Sequence, residues 1–165
     1  MKNLIIIILF LFSVAIFSQK KYKDLKSEYN AQVLCLGTGA DQVQVLKVFS
    51  FKKRRRVRQE DYAKIKRAAI FTVIFNGIPK GAKGCAYQPA ILSEDAYEAH
   101  SGYFDDFFRG GKFAQFISLS SQSSLELVKM GKGYEMSMDV SVRREALARK
   151  LEADGIRKGL GSSFD

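Results

Sequence analysis

The sequence predicts an α+β domain: an antiparallel sheet of about five strands with about three helices packed mainly on one face. Three observations predict it. Tyr134, Met136, Met138, Val140 and Val142 alternate without a break against Glu135, Ser137, Asp139 and Ser141, the pattern of a strand with one dry and one wet face. Tyr62, Ile65, Ala69 and Val73 recur at spacings of three and four, the period of a helix with one buried stripe. Strand-like and helix-like stretches then follow one another in the order β-β-α-α-β-β-β-α, which segregates helices from an antiparallel sheet.

The N-terminus, "MKNLIIIILFLFSVAIFSQKK", carries Lys2 and then an apolar run of 14 residues from Leu4 to Phe17, broken only by Ser13. A membrane-spanning helix needs about 18 or more apolar residues, whereas a secretory h-region is of this shorter length. Ser18 supplies a small residue before a cut at Gln19. The expectation is a signal peptide over 1–18 and a single exported domain over 19–165; an uncleaved anchor is the competing reading. Cys35 lies too far on for a lipid-anchored mature N-terminus. Removing 18 of the 165 residues leaves 147, enough for one domain with an ordinary core.

"AQVLCLGTGADQVQVLKVFSF" reads as two strands joined by a turn near Gly39 to Asp41. In the second arm Val43 and Val45 lie on one side, then Leu46 and Val48 on the other, as a bulge or burial on both faces would give. "GTGADQ" lacks the third glycine of a dinucleotide loop, and a strand rather than a helix follows it, so that reading fails. From Glu60 to Asn76 the pattern is helical. Its second half, "AAIFTVIF", is apolar all round and belongs fully buried against the sheet, and Asn76 with Gly77 closes it.

"IPKGAKGCAYQPAIL" is a long connection holding both prolines, and connections of this length are functional, disordered or tied down. The only two cysteines are Cys35, in the first strand, and Cys85, in this connection. In an exported chain they can form one disulfide. Free buried thiols are the alternative, and two lone cysteines do not make a metal site. A second helix runs through "SEDAYEAHSGYFDDFF", with Ser93 as N-cap, Glu94 and Asp95 in the first turn, and Tyr97, His100, Phe104, Phe107 and Phe108 on one stripe. His100 is the only histidine. It is either a residue at the edge of an aromatic face or, with Asp105 or Asp106, a catalytic group. "KFAQFISLSS", "LELVKM" and "YEMSMDVSV" complete the strands, and "RREALARKLEAD" is the last helix, with Leu147 and Leu151 inward.

Charge narrows the function classes. The formal net charge is +10, about +9 without Lys2, and six of the seven positions from 52 to 58 are basic: Lys52, Lys53, Arg54, Arg55, Arg56 and Arg58. Such density attracts anions, most strongly at low salt. Alternatively the run is simply a solvated turn between a strand and a helix. Export removes chromosomal DNA as a target, and no aromatic interleaves the cations to stack bases, so sequence-specific nucleic-acid binding is not expected. Partners of the right chemistry are an envelope protein, an anionic polymer or a membrane surface. No motif calls for a cofactor or metal, and none assigns catalytic residues: "GxSxG" and "HExxH" are both missing.

The strand pair ending in "VQVLKVFSF", the helix "DYAKIKRAAIFTVIF" and the segment "FFRGGKFAQFISLS" together resemble the small exported domains of bacterial surface-assembly accessory proteins, which occur among outer-membrane lipoproteins and flagellar or curli-type secretion factors. The resemblance covers about half of the mature chain, lacks the lipid-anchor cysteine many of those proteins carry, and transfers no functional residue. It implies a non-catalytic role in envelope assembly, in the periplasm or at the surface of a Gram-negative bacterium. The alternative is a small carboxylate-dependent hydrolase acting on a wall or surface polymer, for which Asp and Glu suffice. Two carboxylates facing each other in a deep cleft would favour the hydrolase. Intact-mass measurement of protein recovered from the envelope should find Gln19, free or cyclised, as the first residue; retention of Met1 would refute the signal peptide.

Overall fold

The computed structural model describes residue 22 and residues 24–29, 31–39, 43–81, 84–119 and 125–157. The expected signal peptide, most of the turn at Gly39 to Asp41 and the last eight residues lie outside the described residues. The architecture is the expected α+β arrangement. Strands β1 (Gln32–Thr38), β2 (Gln44–Lys52), β3 (Ile117–Leu119), β4 (Glu126–Met130) and β5 (Gly133–Val142) form one antiparallel sheet. β2 pairs with β5 along its whole length, from Gln44 opposite Val142 to Lys52 opposite Tyr134. β1 covers the far edge of β2. The short β3 and β4 share the other edge of β5, β3 at Val140–Val142 and β4 at Gly133–Ser137.

The expected irregularity in the second arm lies instead in the first. Cys35 pairs with Leu46 and Gly37 with Val45, so Leu36 is the extra residue of a bulge in β1. β2 alternates regularly, with Gln44, Leu46 and Val48 inward. The inward Gln44 keeps a polar partner, because Thr38 Oγ1 donates to its Oε1 at 3.4 Å. The segment from Lys112, expected as strand, begins as a 3-10 turn over Lys112–Phe116. Phe113 and Phe116, three residues apart, are both buried there, and three residues per turn puts them on one side.

Among the described residues five α-helices stand where about three were expected. The unforeseen α1 (residues 24–29) buries Leu25 and Tyr29; with Tyr22 they have the three-and-four spacing that could have revealed it. The second expected helix is two, α3 (Glu94–Ala99) and α4 (Ser101–Arg109), broken at His100 with φ −125° and ψ 33°. Ser101 and Gly102, poor helix formers, follow the break. α5 (Arg144–Ala153) buries Leu147, Ala148 and Leu151.

The central helix α2 (Gln59–Phe71) continues as a π-helical turn over Thr72–Asn76. Ile65, Ala69, Ile70, Phe71, Val73 and Ile74 are completely buried. The sheet lies on one side, with its inward Leu46, Val48, Met138 and Val140 also shut off from solvent. A layer of rings from α1, α3 and α4 lies on another. Phe71 meets Tyr22, Tyr29 and Phe108, and Phe75 meets Tyr97 and Phe104 at 5.9 and 5.1 Å. Burying such a ring is worth about 1.5–3 kcal/mol relative to exposure.

The π turn ends where the Gly77 amide donates to Thr72 O at 2.8 Å. The carbonyls of Val73 and Ile74 then accept from the amides of Ile91 and Leu92, which lays the long connection back over the helix end. Gly77 has φ +79°, and a Cβ there would stand 2.6 Å from Gln88 O, so only glycine fits. The connection is tied twice more. Ile78 and Gln88 exchange both backbone hydrogen bonds, at 2.8 and 3.0 Å, and Cys85 is joined to Cys35 by a disulfide with a Cα–Cα distance of 5.9 Å. The bridge closes a chain separation of 50 residues, which in the chain-entropy picture stabilises by about 4 kcal/mol. Reduction, or Cys35→Ser with Cys85→Ser, should lower stability by about that amount in urea unfolding; an unchanged midpoint would mean the two backbone ties suffice.

Candidate anionic-surface site

The basic run starts inside the sheet. Inward and outward positions alternate along β2, so Lys52 falls on the inward side with Leu46 and Val48, at the strand's open end. Its side chain is only 11% exposed. The ammonium is satisfied twice, by the Asp61 carboxylate and by Arg56 O at 3.0 Å. Asp61, in the first turn of α2, also accepts the Arg58 amide at 2.8 Å, and its own amide donates to Arg58 O at 3.0 Å. One carboxylate therefore caps the helix and pins the strand end. Val57, half-buried, packs on the core and anchors the middle of the loop.

Between these anchors Lys53, Arg54, Arg55, Arg56 and Arg58 are exposed; the charge of Arg58 acts on the Asp61 carboxylate, and none of the other four is ion-paired with a described residue. With Glu60 and the Lys52–Asp61 pair, most of them border an open basin of about 300 Å³. The six basic residues singled out from sequence thus divide in two. Lys52 holds the loop; the other five project from it. Outward Phe51, just before the run, is also exposed, and sequence reasoning passed over it although it opens the same stretch.

The electrostatics of the clamp have a definite sign. Burial raises the Asp61 pKa, but the Lys52 ammonium, the Arg58 amide and the charges of both residues together outweigh it and hold the carboxyl below its usual value. Such a group stabilises the fold fully above its ordinary pKa, and that support is lost as pH falls through the lowered one.

A larger cavity, about 620 Å³, is lined by Tyr103, Phe107, Lys112, Gln115, Lys150 and Asp154. Its charges are matched internally. Lys150 pairs with Asp154 at 2.5 Å and Lys112 with Asp106 at 2.5 Å. Tyr103 donates its hydroxyl to Asp154 at 2.6 Å. Lys150, and then Tyr103, hold the Asp154 carboxyl below its usual range, while burial, and then the bond to Asp154, push the Tyr103 hydroxyl up. An ionised Asp154 cannot donate a proton as a glycosidase acid must, and among the described residues no second carboxylate lines the cavity beside it. Asp106, one of the two partners considered for His100, is the carboxylate held by Lys112. His100 itself sits half-buried at the joint of α3 and α4.

Asp61→Asn should cost about 1–2 kcal/mol at neutral pH by weakening the cap and the clamp. Urea unfolding at several pH values should show this difference shrinking below about pH 4; a pH-independent difference would place the effect elsewhere. The chain matches no family model, no curated protein and no solved structure with which it was compared, so its function is read from its own residues.

Proposed function

We propose that the protein is a non-enzymatic, exported accessory module of the bacterial cell envelope that attaches to an anionic surface through Lys53, Arg54, Arg55, Arg56 and Arg58. One observation carries the reading: five cations stand exposed on a short loop that is fixed at both ends, and four of them, Lys53 to Arg56, have no ion-pair partner among the described residues. A loop so fixed loses little further freedom on binding, and preorganised charge binds at lower entropic cost. The Cys35–Cys85 bridge supports an oxidising compartment, because such bridges are rare where thiols are kept reduced. The internal matching of charge in the cavity beside Tyr103 and Asp154 supports attachment over hydrolysis as the work of the domain.

The test is the triple variant Arg54→Ser, Arg55→Ser, Arg56→Ser. All three side chains are exposed, so folding should change by no more than about 0.5 kcal/mol per site. Binding to envelope fragments and to dextran sulfate should fall at least about tenfold and lose most of its salt dependence, since screening acts on charge alone. A triple variant that binds like the parent would overturn the reading.

A further inference from the structure

Beside the basic loop, the strand register gathers three exposed apolar side chains on the sheet face turned away from the helices. Phe51 is 60% exposed, Val128 53% and Met130 50%. Phe51 and Val128 both stand opposite Glu135, on either side of β5, and Met130 stands opposite Gly133. The Phe51 ring leans over Gly133, where a Cβ would meet its Cζ at 2.2 Å. Bare backbone at Gly133 therefore lets the ring reach across β5 toward Met130.

The same register fixes what surrounds this patch. β2 ends at Lys52, opposite Tyr134, and β4 turns into β5 at Gly131 and Lys132, so the basic loop and the hairpin tip lie at one end of the sheet. Lys132 at the tip of the hairpin is exposed. The apolar side chains are thus bordered by cations at this end of the sheet, from Lys53–Arg58 on the loop and from Lys132 on the hairpin. Half-buried Glu135 stands within the patch, between Phe51 and Val128; Glu126, next along the same face, is held by Lys47, and exposed Glu60 lies by the loop, so the cations outnumber the carboxylates.

We infer that this end of the sheet docks on an anionic phospholipid bilayer, with Phe51, Val128 and Met130 entering the headgroup boundary and the flanking Lys and Arg meeting lipid phosphates. The inference rests on the attachment reading above and names its partner. A dissolved polyanion would have no use for the apolar residues. A protein interface of this kind would be depleted of charge around its apolar centre. A bilayer surface demands both, apolar side chains to enter the acyl boundary and long cations whose heads stay at the phosphates.

The chain contains no tryptophan, so Phe51→Trp gives a single reporter at a position exposed enough to accept it. The protein is used in the processed form in which it accumulates, so that every variant shares one N-terminus. Mixed phosphatidylglycerol and phosphatidylcholine vesicles should shift Trp emission to shorter wavelength and brominated lipid should quench it. Pure phosphatidylcholine vesicles and dextran sulfate should do neither. Val128→Ser with Met130→Ser should weaken vesicle binding about tenfold while leaving dextran sulfate binding unchanged. If the protein binds anionic vesicles with emission unshifted and the serine pair has no effect, the attachment is purely ionic: the lipid inference falls and the attachment reading stands. An emission shift that grows with protein concentration in the absence of lipid would overturn it in favour of a second copy. Binding to neither vesicles nor dextran sulfate would overturn both readings.

Discussion

Everything in this structure is arranged around one helix that water does not reach over its second half. From Ala68 to Ile74 the segment is almost wholly buried, which forces apolar cover on more than one side. The sheet provides part of it through Leu46, Val48, Met138 and Val140. Rings provide the rest, with Tyr22, Tyr29, Phe75 and Phe108 all meeting Phe71. A small domain cannot surround a helix with sheet alone, so it recruits three short helices whose main contribution is aromatic. Short helices are marginal by themselves; here packing against α2 makes up for their length.

Both ends of this helix are where polarity must be managed, and each end meets it with different chemistry. At the start, Asp61 satisfies the Arg58 amide and the inward Lys52 together. At the finish, a π turn leaves the carbonyls of Val73 and Ile74 to the returning connection. The bulge at Leu36 and the disulfide at Cys35 lie next to that connection, with Gly81 so close that a Cβ would come within 2.3 Å of Cys35 O. The stability of the loop and the irregularity of β1 are thus parts of one contact.

The opposite face of the sheet follows different rules. Lys47 pairs with Glu126 at 2.8 Å, Ser137 also donates to Glu126, and Lys47 stands opposite Asp139, giving a polar band across the middle. Exposed apolar side chains lie around the band, Leu34 beside Lys47 on the edge strand with Leu36 in the bulge, and Phe51, Val128 and Met130 at the end of the sheet near the basic loop. Among the described residues the second group is the one bordered by the exposed cations of the basic loop, which is why attachment is proposed for that end.

The sequence by itself determined the fold class, the position of the central helix, the alternation of β5 and the pairing partners of the disulfide. Each of these is written in local periodicity or in a residue type with one available partner. It also marked the basic run, because charge density is visible without coordinates. What only the tertiary structure decided depends on contacts between distant segments. The bulge belongs to β1 because β2 must keep Leu46 and Val48 in register with Val140 and Met138 of β5. Phe113 and Phe116 fold as a tight turn because both rings are needed in the core. Lys52 leaves the basic surface because strand alternation turns it toward Asp61, nine residues on. Phe51 joins Val128 and Met130 only through the pairing of β2 and β4 with β5, more than seventy residues apart in the chain, a proximity that no local pattern encodes.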